Sequence, residues 1–301
     1  MPINELWKMT AHQVKDGQFT KAILAIGSCE AHGQHIAEGC DTLVAYKLSK
    51  QIADRVDGML VLPPVTVGYS GHYDSFPFSL TLSYDTTTQV IYDLIESVIR
   101  NGISHIFLMN GHDGNIAPIE IASRKIKEKY PEVQIAALTQ WWVAAGNLLP
   151  KDTFEVWNGL GHAGEGETSI AYYLFPEWCE PELATCVIPS LPDEIDIKWD
   201  FSELTDTAQT GDATKASAEK GKKMNDVIVE YNRAIYFNTE NMINKIVDTF
   251  TPTHDGAMYD NAFAYQIDGG QFGKVTSDKD IKVESETSSI IVFPSVKQAV
   301  K

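Results

Sequence analysis

The sequence is poor in basic residues and contains no long apolar segment. Its 301 residues include 24 Lys and Arg against 41 Asp and Glu, which gives a formal net charge of −17. A surface of this sign repels phosphate backbones and anionic lipid heads, so we expect neither a nucleic-acid nor a membrane partner. No apolar segment approaches the roughly 20 residues that span a bilayer. The first residues also lack the basic and apolar regions of a secretory signal.

Cysteine is scarce as well, with four residues and no CxxC spacing. This usage is typical of a reduced protein, and we expect a cytoplasmic location. Cys29 and Cys40 flank a segment rich in metal-binding side chains. Small packing residues are the more common role for such cysteines, and thiolate ligands are the alternative.

Strand and helix patterns alternate over the first 175 residues. The predicted strands cover 21–28, 59–67, 105–109 and 133–139, and the predicted helices cover 41–56, 86–100, 115–130 and 165–175, with Asp85 as a helix cap. Alternation of this kind predicts an α/β fold with a mostly parallel sheet and helices on both faces.

The length suits one large domain, and no repeat or low-complexity segment divides it. We therefore expect a single domain over 1–301, with a motif core at 20–180 and a C-terminal extension from about 190. A helical composition over 212–248 and a possible strand at 289–293 are the readable parts of that extension.

The most informative segment follows the first predicted strand. Glu30, His32, His35 and Asp41 come directly after it. Open α/β sheets place ligand sites at the carboxyl ends of their strands. Positions 30 and 32 point to the same side of an extended segment, so a carboxylate and an imidazole would face one point.

Segments 110–115 and 162–169 also combine a histidine with carboxylates. Together the three segments provide the nitrogen and oxygen ligands that a binuclear zinc or manganese site requires, with iron also possible. We assign Glu30 and His112 to one ion and His32 and Glu167 to the other. Asp41 would bridge the two ions, so we expect two divalent metal ions per chain.

Other residues receive supporting roles. His162 and Glu165 are the candidate catalytic residues, with His162 as proton donor to a leaving nitrogen. His35, Asn110 and Asn115 would brace the ligands from behind. The candidate substrate-binding residues are Ser70, His72, Asp113, Trp141 and Trp142.

Each of these side chains also has an ordinary explanation. A single histidine at a strand end is usually a structural residue, and an acidic residue at a helix start is usually stabilised by the helix dipole. The joint pattern favours a metal-dependent hydrolase. A non-catalytic small-molecule-binding or scaffold protein of the same fold is the alternative. Phosphoester hydrolysis is disfavoured because the motifs contain no Arg or Lys to hold a phosphoryl group.

The motifs resemble those of the creatininase (creatinine amidohydrolase) family. They are G-S-x-E-x-H-G-x-H over 27–35 followed by Asp41, F-P-x-x-L-T-L-S over 76–83, N-G-H-x-G-N over 110–115 and H-A-G-E-x-E-T-S over 162–169. The resemblance implies a three-layer α/β/α fold, a binuclear zinc or manganese centre and hydrolysis of a non-peptide or cyclic C–N bond such as that of a lactam, formamide or cyclic urea. It also implies a homo-oligomer, often a hexamer, that acts on a small molecule.

The sequence departs from creatininase at two places. That enzyme has a Tyr-Glu pair after the motif histidine and uses this Glu as a metal ligand, whereas Asp113-Gly114 stand here. Glu167 is the expected replacement ligand, with Glu165 as the second choice. A Trp-Asp pair ahead of His162 is also absent, since Asn158-Gly159 occupy that place. Both departures argue against creatinine as the substrate.

Overall fold

The central sheet has four parallel strands in the order β2-β1-β3-β4. They are β1 (Lys21–Ile26), β2 (Met59–Val61), β3 (His105–Asn110) and β4 (Gln134–Leu138). In this computed structural model, which describes residues 4–190, 197–237, 263–266 and 290–293, Ile23 lies opposite Val61 on one side and Phe107 on the other. Strands buried on both faces are expected to be continuously apolar, as β1 is.

Helices cover both faces of this sheet. They are α1 (Ala11–Asp16), α2 (Cys40–Ala53), α3 (Tyr84–Arg100), α4 (Ile116–Lys129), α5 (Trp141–Leu148), α6 (Glu165–Leu174) and α7 (Ala218–Phe237). Alternate residues of β1 point to opposite faces. Leu24 packs in one core cluster with residues of α3 and α4, and Ile23 packs in the other with residues of α2, α5, α6 and α7. The predicted α/β/α fold with a parallel sheet is confirmed.

Several boundaries differ from those predicted. Helix α3 is capped by Ser83, whose hydroxyl accepts a hydrogen bond from the Thr86 amide at 3.1 Å, and Asp85 lies inside the first turn. Strand β2 ends at Val61, two residues before Pro63. Helix α5 lies in a region for which no helix is predicted.

The contacts divide the chain into two units, Met1–Tyr236 and Phe237–Lys301. In the first unit, Met224 and Ile228 of α7 are buried in the same core cluster as β1. The core of that unit therefore extends well beyond the predicted motif core at 20–180, because α7 supplies apolar side chains that complete it. Helix α7 accounts for 218–237 of the predicted helical region 212–248, whose last part lies outside the described residues.

In the second unit the described residues form an antiparallel pair, β5 (Phe263–Gln266) with β6 (Ile290–Phe293). The latter coincides with the predicted strand at 289–293. The single-domain interpretation stays a prediction. Among the described residues, no helix has both the length and the apolar character needed to cross a membrane.

The end of β3 approaches the start of α2 very closely. A Cβ atom on Gly111 would lie 2.2 Å from the carbonyl oxygen of Asp41, which only a residue without a side chain permits at this backbone position. This contact brings the segment after β3 next to the segment after β1. The motif side chains of both strands therefore meet at one edge of the sheet.

Candidate metal centre

Three buried or nearly buried histidines each use one ring nitrogen on a backbone carbonyl. His32 Nδ1 lies 3.0 Å from the Glu30 oxygen, His112 Nε2 lies 2.7 Å from the Tyr69 oxygen, and His162 Nε2 lies 2.7 Å from the Ala31 oxygen. A carbonyl oxygen can only accept, so each of these nitrogens carries the proton and donates. In a neutral imidazole the other nitrogen then has a free lone pair.

Those other nitrogens point at carboxylate oxygens. His32 Nε2 lies 3.0 Å from Asp41 Oδ1 and 3.8 Å from Glu167 Oε1. His112 Nδ1 lies 3.0 Å from Glu30 Oε1 and 3.2 Å from Asp41 Oδ2. Two acceptors facing each other in a buried site repel, so either an additional proton or a cation must lie between them.

The carboxylates show the same deficit of donors. Glu30 Oε1 and Asp41 Oδ2 are buried and have no hydrogen-bond partner. Without a metal, additional protons on the imidazoles would balance the carboxylate charges. Burial lowers the pKa of His32 and of His112, but the charges of Asp41 and Glu30 outweigh it and hold both pKa values well above the usual histidine value. Burial raises the pKa of Asp41, but the two imidazoles reverse that effect and lower it.

The donor set suits divalent cations instead of these extra protons. The possible ligand atoms of Glu30, Asp41 and His112 all lie within 4.8 Å of one another, and those of His32, Asp41 and Glu167 belong to a second group with the same spacing. Asp41 belongs to both groups, as a bridging carboxylate would. Mixed nitrogen and oxygen donors are those that zinc and manganese accept.

His162 lies between the two groups. Its Nδ1 atom is 3.9 Å from Glu167 Oε2 and 4.0 Å from Glu30 Oε1, and its ring centre is 4.3 Å from that of His32. Burial, and then the charge of His32, lowers the pKa of His162 to about 3. Its imidazole is therefore neutral and can accept a proton on Nδ1.

The residues predicted to brace the site lie directly behind it. Asn110 donates from Nδ2 to the His112 and Thr139 carbonyls and accepts from the His112 amide at 3.2 Å. Asn115 donates to the Gly27 carbonyl at 3.0 Å and accepts from the Tyr69 amide at 3.1 Å. These two side chains connect the end of β1, the end of β3 and the loop 68–84.

The third of these residues, His35, supports the start of α6. Its Nε2 atom lies 2.9 Å from Thr168 Oγ1, and this hydroxyl donates to the Ala163 carbonyl at 2.9 Å. The Ala163 amide in turn donates to Glu167 Oε2 at 2.7 Å. His35 therefore acts on Glu167 through the backbone turn that holds this carboxylate.

The predicted substrate-binding residues do not lie together. Ser70 is fully buried and contacts Ser28, whose hydroxyl donates to Glu30 Oε2 at 3.1 Å, so Ser70 supports a carboxylate from behind. The ring of His72 stacks on that of His112 with 5.7 Å between centres. Asp113 is exposed and accepts a 3.4 Å hydrogen bond from Gln140.

The structure does not bring Glu165, Trp141 or Trp142 to this cluster. The buried carboxylate of Glu165 accepts hydrogen bonds from the Glu155 and Val156 amides and from Lys220. It therefore holds the segment before α6, which is a structural task. Trp141 is fully buried in the apolar core, and Trp142 packs partly buried against the same core.

The aromatic residues of the loop 68–84, Tyr73 among them, are candidates for a pocket wall, and Tyr73 lies against the cluster. Tyr73 is 3% exposed, and its ring centre lies 4.6 Å from that of His162 and 4.4 Å from that of His72. Burial, and then the charges of Glu30 and Glu167, raise its pKa well above the usual value, so the phenol is neutral. Within the described residues its hydroxyl has no hydrogen-bond partner. The sequence signal was its place in the aromatic loop 68–84.

Comparison with known proteins identifies the family to which this chain is similar. The family model "Creatininase: Creatinine amidohydrolase" matches residues 7–235. Creatinine amidohydrolase of Pseudomonas putida is 28% identical over 74% of this chain and 91% of its own. The mycofactocin precursor peptide peptidase of Mycobacterium ulcerans is 23% identical, over 74% and 86% of the two chains. The 3-dehydro-scyllo-inosose hydrolase of Thermotoga maritima is 26% identical, over 80% and 83%.

Solved structures agree with this placement. A creatininase described as the Mn form has a TM-score of 0.66 and 26% identity, covering 78% of this chain and 98% of its own. A creatininase variant of the Zn-Zn type has a TM-score of 0.65 and 26% identity, covering 78% and 97%. The family model spans most of the chain, and the motif histidines and carboxylates meet at one sheet edge. The protein therefore belongs to the creatininase family of hydrolases.

Proposed function

We propose that this protein is a binuclear metal-dependent amidohydrolase that cleaves a non-peptide or cyclic amide C–N bond of a small molecule other than creatinine. The observation that carries the proposal is the arrangement of His32 and His112. Each has one nitrogen committed to a backbone carbonyl, and the other faces buried carboxylate oxygens. That pattern is typical of metal-ligating histidines, whose second nitrogen is fixed by an outer hydrogen bond.

The five ligands divide into two sets. Glu30 and His112 would hold one ion, and His32 and Glu167 the other, with Asp41 shared. Zinc and manganese are the proposed metals, with iron as a possible substitute. When bound, such ions lower the pKa of a water molecule toward ~7 and polarise a carbonyl oxygen.

The remaining chemistry belongs to side chains beside the ligands. His162 has its Nδ1 atom free toward the cluster, and we assign it the uptake of a proton from the attacking water on Nδ1 and the transfer of that proton to the leaving nitrogen. Tyr73 offers a neutral hydroxyl that has no hydrogen-bond partner in the described part of the chain, and we assign it a hydrogen bond to the substrate carbonyl oxygen, where negative charge develops in the transition state. His72 lies adjacent to both His112 and Tyr73, and we assign it a contact with the substrate.

The region around Gly114 supports a substrate other than creatinine. A Cβ atom there would lie 2.2 Å from the Tyr69 carbonyl oxygen and 2.5 Å from His112 Nε2. The backbone therefore leaves no room for the Glu that creatininase has at this position. Relatives that act on a precursor peptide and on an inosose show how widely substrates vary within the family. A cytoplasmic homo-oligomer, hexameric as the family resemblance implies, is part of the proposal.

The test begins with elemental analysis of the purified protein and of Asp41→Ala. We expect about two divalent ions per wild-type chain and a sharp fall in the variant. A panel of lactams, formamides and cyclic ureas is then assayed, with creatinine as the comparison compound. Absence of metal in the wild type, with no uptake of added zinc or manganese and an unchanged His112→Ala variant, would favour the non-catalytic alternative.

A further inference from the structure

Cys40 lies beside one half of the candidate metal centre. It is the first residue of α2, directly before Asp41, and its side chain is fully buried. Its Sγ atom belongs to a group with ligand atoms of His32, Asp41 and Glu167, all within 4.8 Å of one another. One nitrogen, two carboxylate oxygens and one sulfur at this spacing match the four-coordinate sites in which proteins bind zinc.

The neighbours of the thiol indicate a ligand position. His32 Nε2, which has no backbone partner, is directed toward Asp41, and a ring nitrogen of His32 lies within 4.8 Å of the Cys40 Sγ atom. Asp41 is 2% exposed, and its Oδ1 atom lies 3.0 Å from His32 Nε2, whereas its unpartnered Oδ2 atom faces His112. A cation among these atoms would satisfy the imidazole lone pair and the carboxylate together. Packing alone would explain a buried thiol, but it leaves these polar groups without a counter-charge.

The other three cysteines are placed differently. Cys179 donates from Sγ to the Phe175 carbonyl at 3.5 Å, Cys186 is exposed, and Cys29 is partly buried on the segment after β1. Within the described residues none of them belongs to a group of metal-binding spacing. Cys29 lies in the same motif region and is a matched control.

We propose that Cys40 supplies a thiolate ligand to the ion held by His32, Asp41 and Glu167, and that this sulfur makes that half of the centre selective for zinc over manganese. The proposal rests on the binuclear centre of the proposed function. Soft thiolates favour zinc, whereas manganese prefers carboxylate and other oxygen ligands. The half formed by Glu30, Asp41 and His112 has no sulfur and would accept either metal.

Binding of the Cys40 sulfur to the metal involves no change of oxidation state. When the sulfur–metal bond forms, the Sγ–H bond breaks and its proton passes to solvent. A bound divalent ion deprotonates a coordinating thiol in this way.

Cobalt(II) reports sulfur ligation without any assay of activity. Full-length protein, treated with EDTA and titrated with cobalt chloride, should develop a near-ultraviolet thiolate-to-cobalt charge-transfer band that saturates at one of two bound equivalents. Cys29→Ala should keep the band. Cys40→Ala should lose the charge-transfer band and still bind one equivalent at the half formed by Glu30, Asp41 and His112. Its zinc affinity at the half formed by His32, Asp41 and Glu167 should fall by about 10- to 100-fold.

Zinc K-edge X-ray absorption on the wild type gives a second answer that does not depend on a folded variant. A sulfur scatterer at about 2.3 Å is expected beside the nitrogen and oxygen shell. Two bound ions with neither the charge-transfer band nor the sulfur scatterer would overturn the role of Cys40 and leave the proposed function intact. A wild-type protein that binds neither cobalt nor zinc would overturn both.

Discussion

Asp41 is the residue whose loss should affect both halves of the metal centre at once. Its Oδ1 atom lies 3.0 Å from His32 Nε2, and its Oδ2 atom lies 3.2 Å from His112 Nδ1. Removing an outer partner of a metal ligand typically weakens metal binding 10- to 100-fold. Because Asp41 would contact each ion directly, Asp41→Ala should weaken the binding of both ions by more than about 100-fold.

The effect on thermal stability follows from linkage. At a free metal concentration of 100 times the Kd, each bound ion stabilises the folded state by about 2.7 kcal/mol. Two ions then contribute about 5 kcal/mol, which raises Tm by roughly 10–20 °C for a unit of this size. In Asp41→Ala the same metal concentration would be near or below the weakened Kd. The stabilisation per ion would fall below about 0.4 kcal/mol, a shift of a few degrees in total at most.

Differential scanning fluorimetry measures this shift for each protein against its own EDTA-treated form. Glu167→Gln and His112→Ala are the matched comparisons, since each should lose one ion and about half of the shift. A full shift in Asp41→Ala would contradict the ligand assignment. A loss of one ion only in Asp41→Ala would contradict the bridging role and leave two separate sites.

The remaining predictions concern single side chains. Glu165→Gln should lower the free energy of unfolding in urea by about 1–3 kcal/mol, because a neutral amide cannot replace the buried carboxylate that accepts hydrogen bonds from the Glu155 and Val156 amides and from Lys220, and should leave metal content unchanged. Gly114→Ala should weaken metal binding about 10- to 100-fold in calorimetry, since its methyl group would displace Tyr69 from His112. Tyr73→Phe should lower kcat/KM about 10- to 150-fold at full metal content. Hydrogen bonds from Lys129, Tyr92 and Tyr130 lower the pKa of Glu96 from 4.5 to about 2. This stabilisation is present above about pH 4.5 and is lost as the pH falls toward 2. Unfolding midpoints of Glu96→Gln should therefore depend less on pH in that window.

Much of the fold could be predicted from the sequence because apolar segments mark the strands and polar or capping residues mark where strands and helices begin and end. The strands β1 and β3 are mostly apolar segments that are followed by polar motif residues. This pattern indicates both the sheet and the candidate site at the carboxyl ends of its strands. Asp85 and Ser83 are both good helix caps, and only the backbone conformation decides that Ser83 occupies the cap position.

The site could be predicted less completely because side-chain direction depends on packing. Glu165 and Glu167 are two residues apart on α6, so they point about 200° apart around the helix axis. Sequence shows that one of them faces the cluster but not which, and the packing of α6 against the core turns Glu167 toward His32. Tyr73 belongs to a loop without periodicity, and its position follows only from tertiary contacts with His162 and Phe201.

The outer hydrogen bonds of the centre connect the segments that carry the ligands. The Tyr69 carbonyl fixes His112, while the Tyr69 amide is held by Asn115, which also reaches the Gly27 carbonyl at the end of β1. The orientation of His112 therefore depends on the loop 68–84 as well as on its own strand. Because Ser70, His72 and Tyr73 belong to the same loop, the residues proposed to contact the substrate and those that orient a metal ligand are fixed by one set of bonds. A substitution in this loop should therefore leave the orientation of His112 unchanged only if it keeps the Tyr69 carbonyl in place.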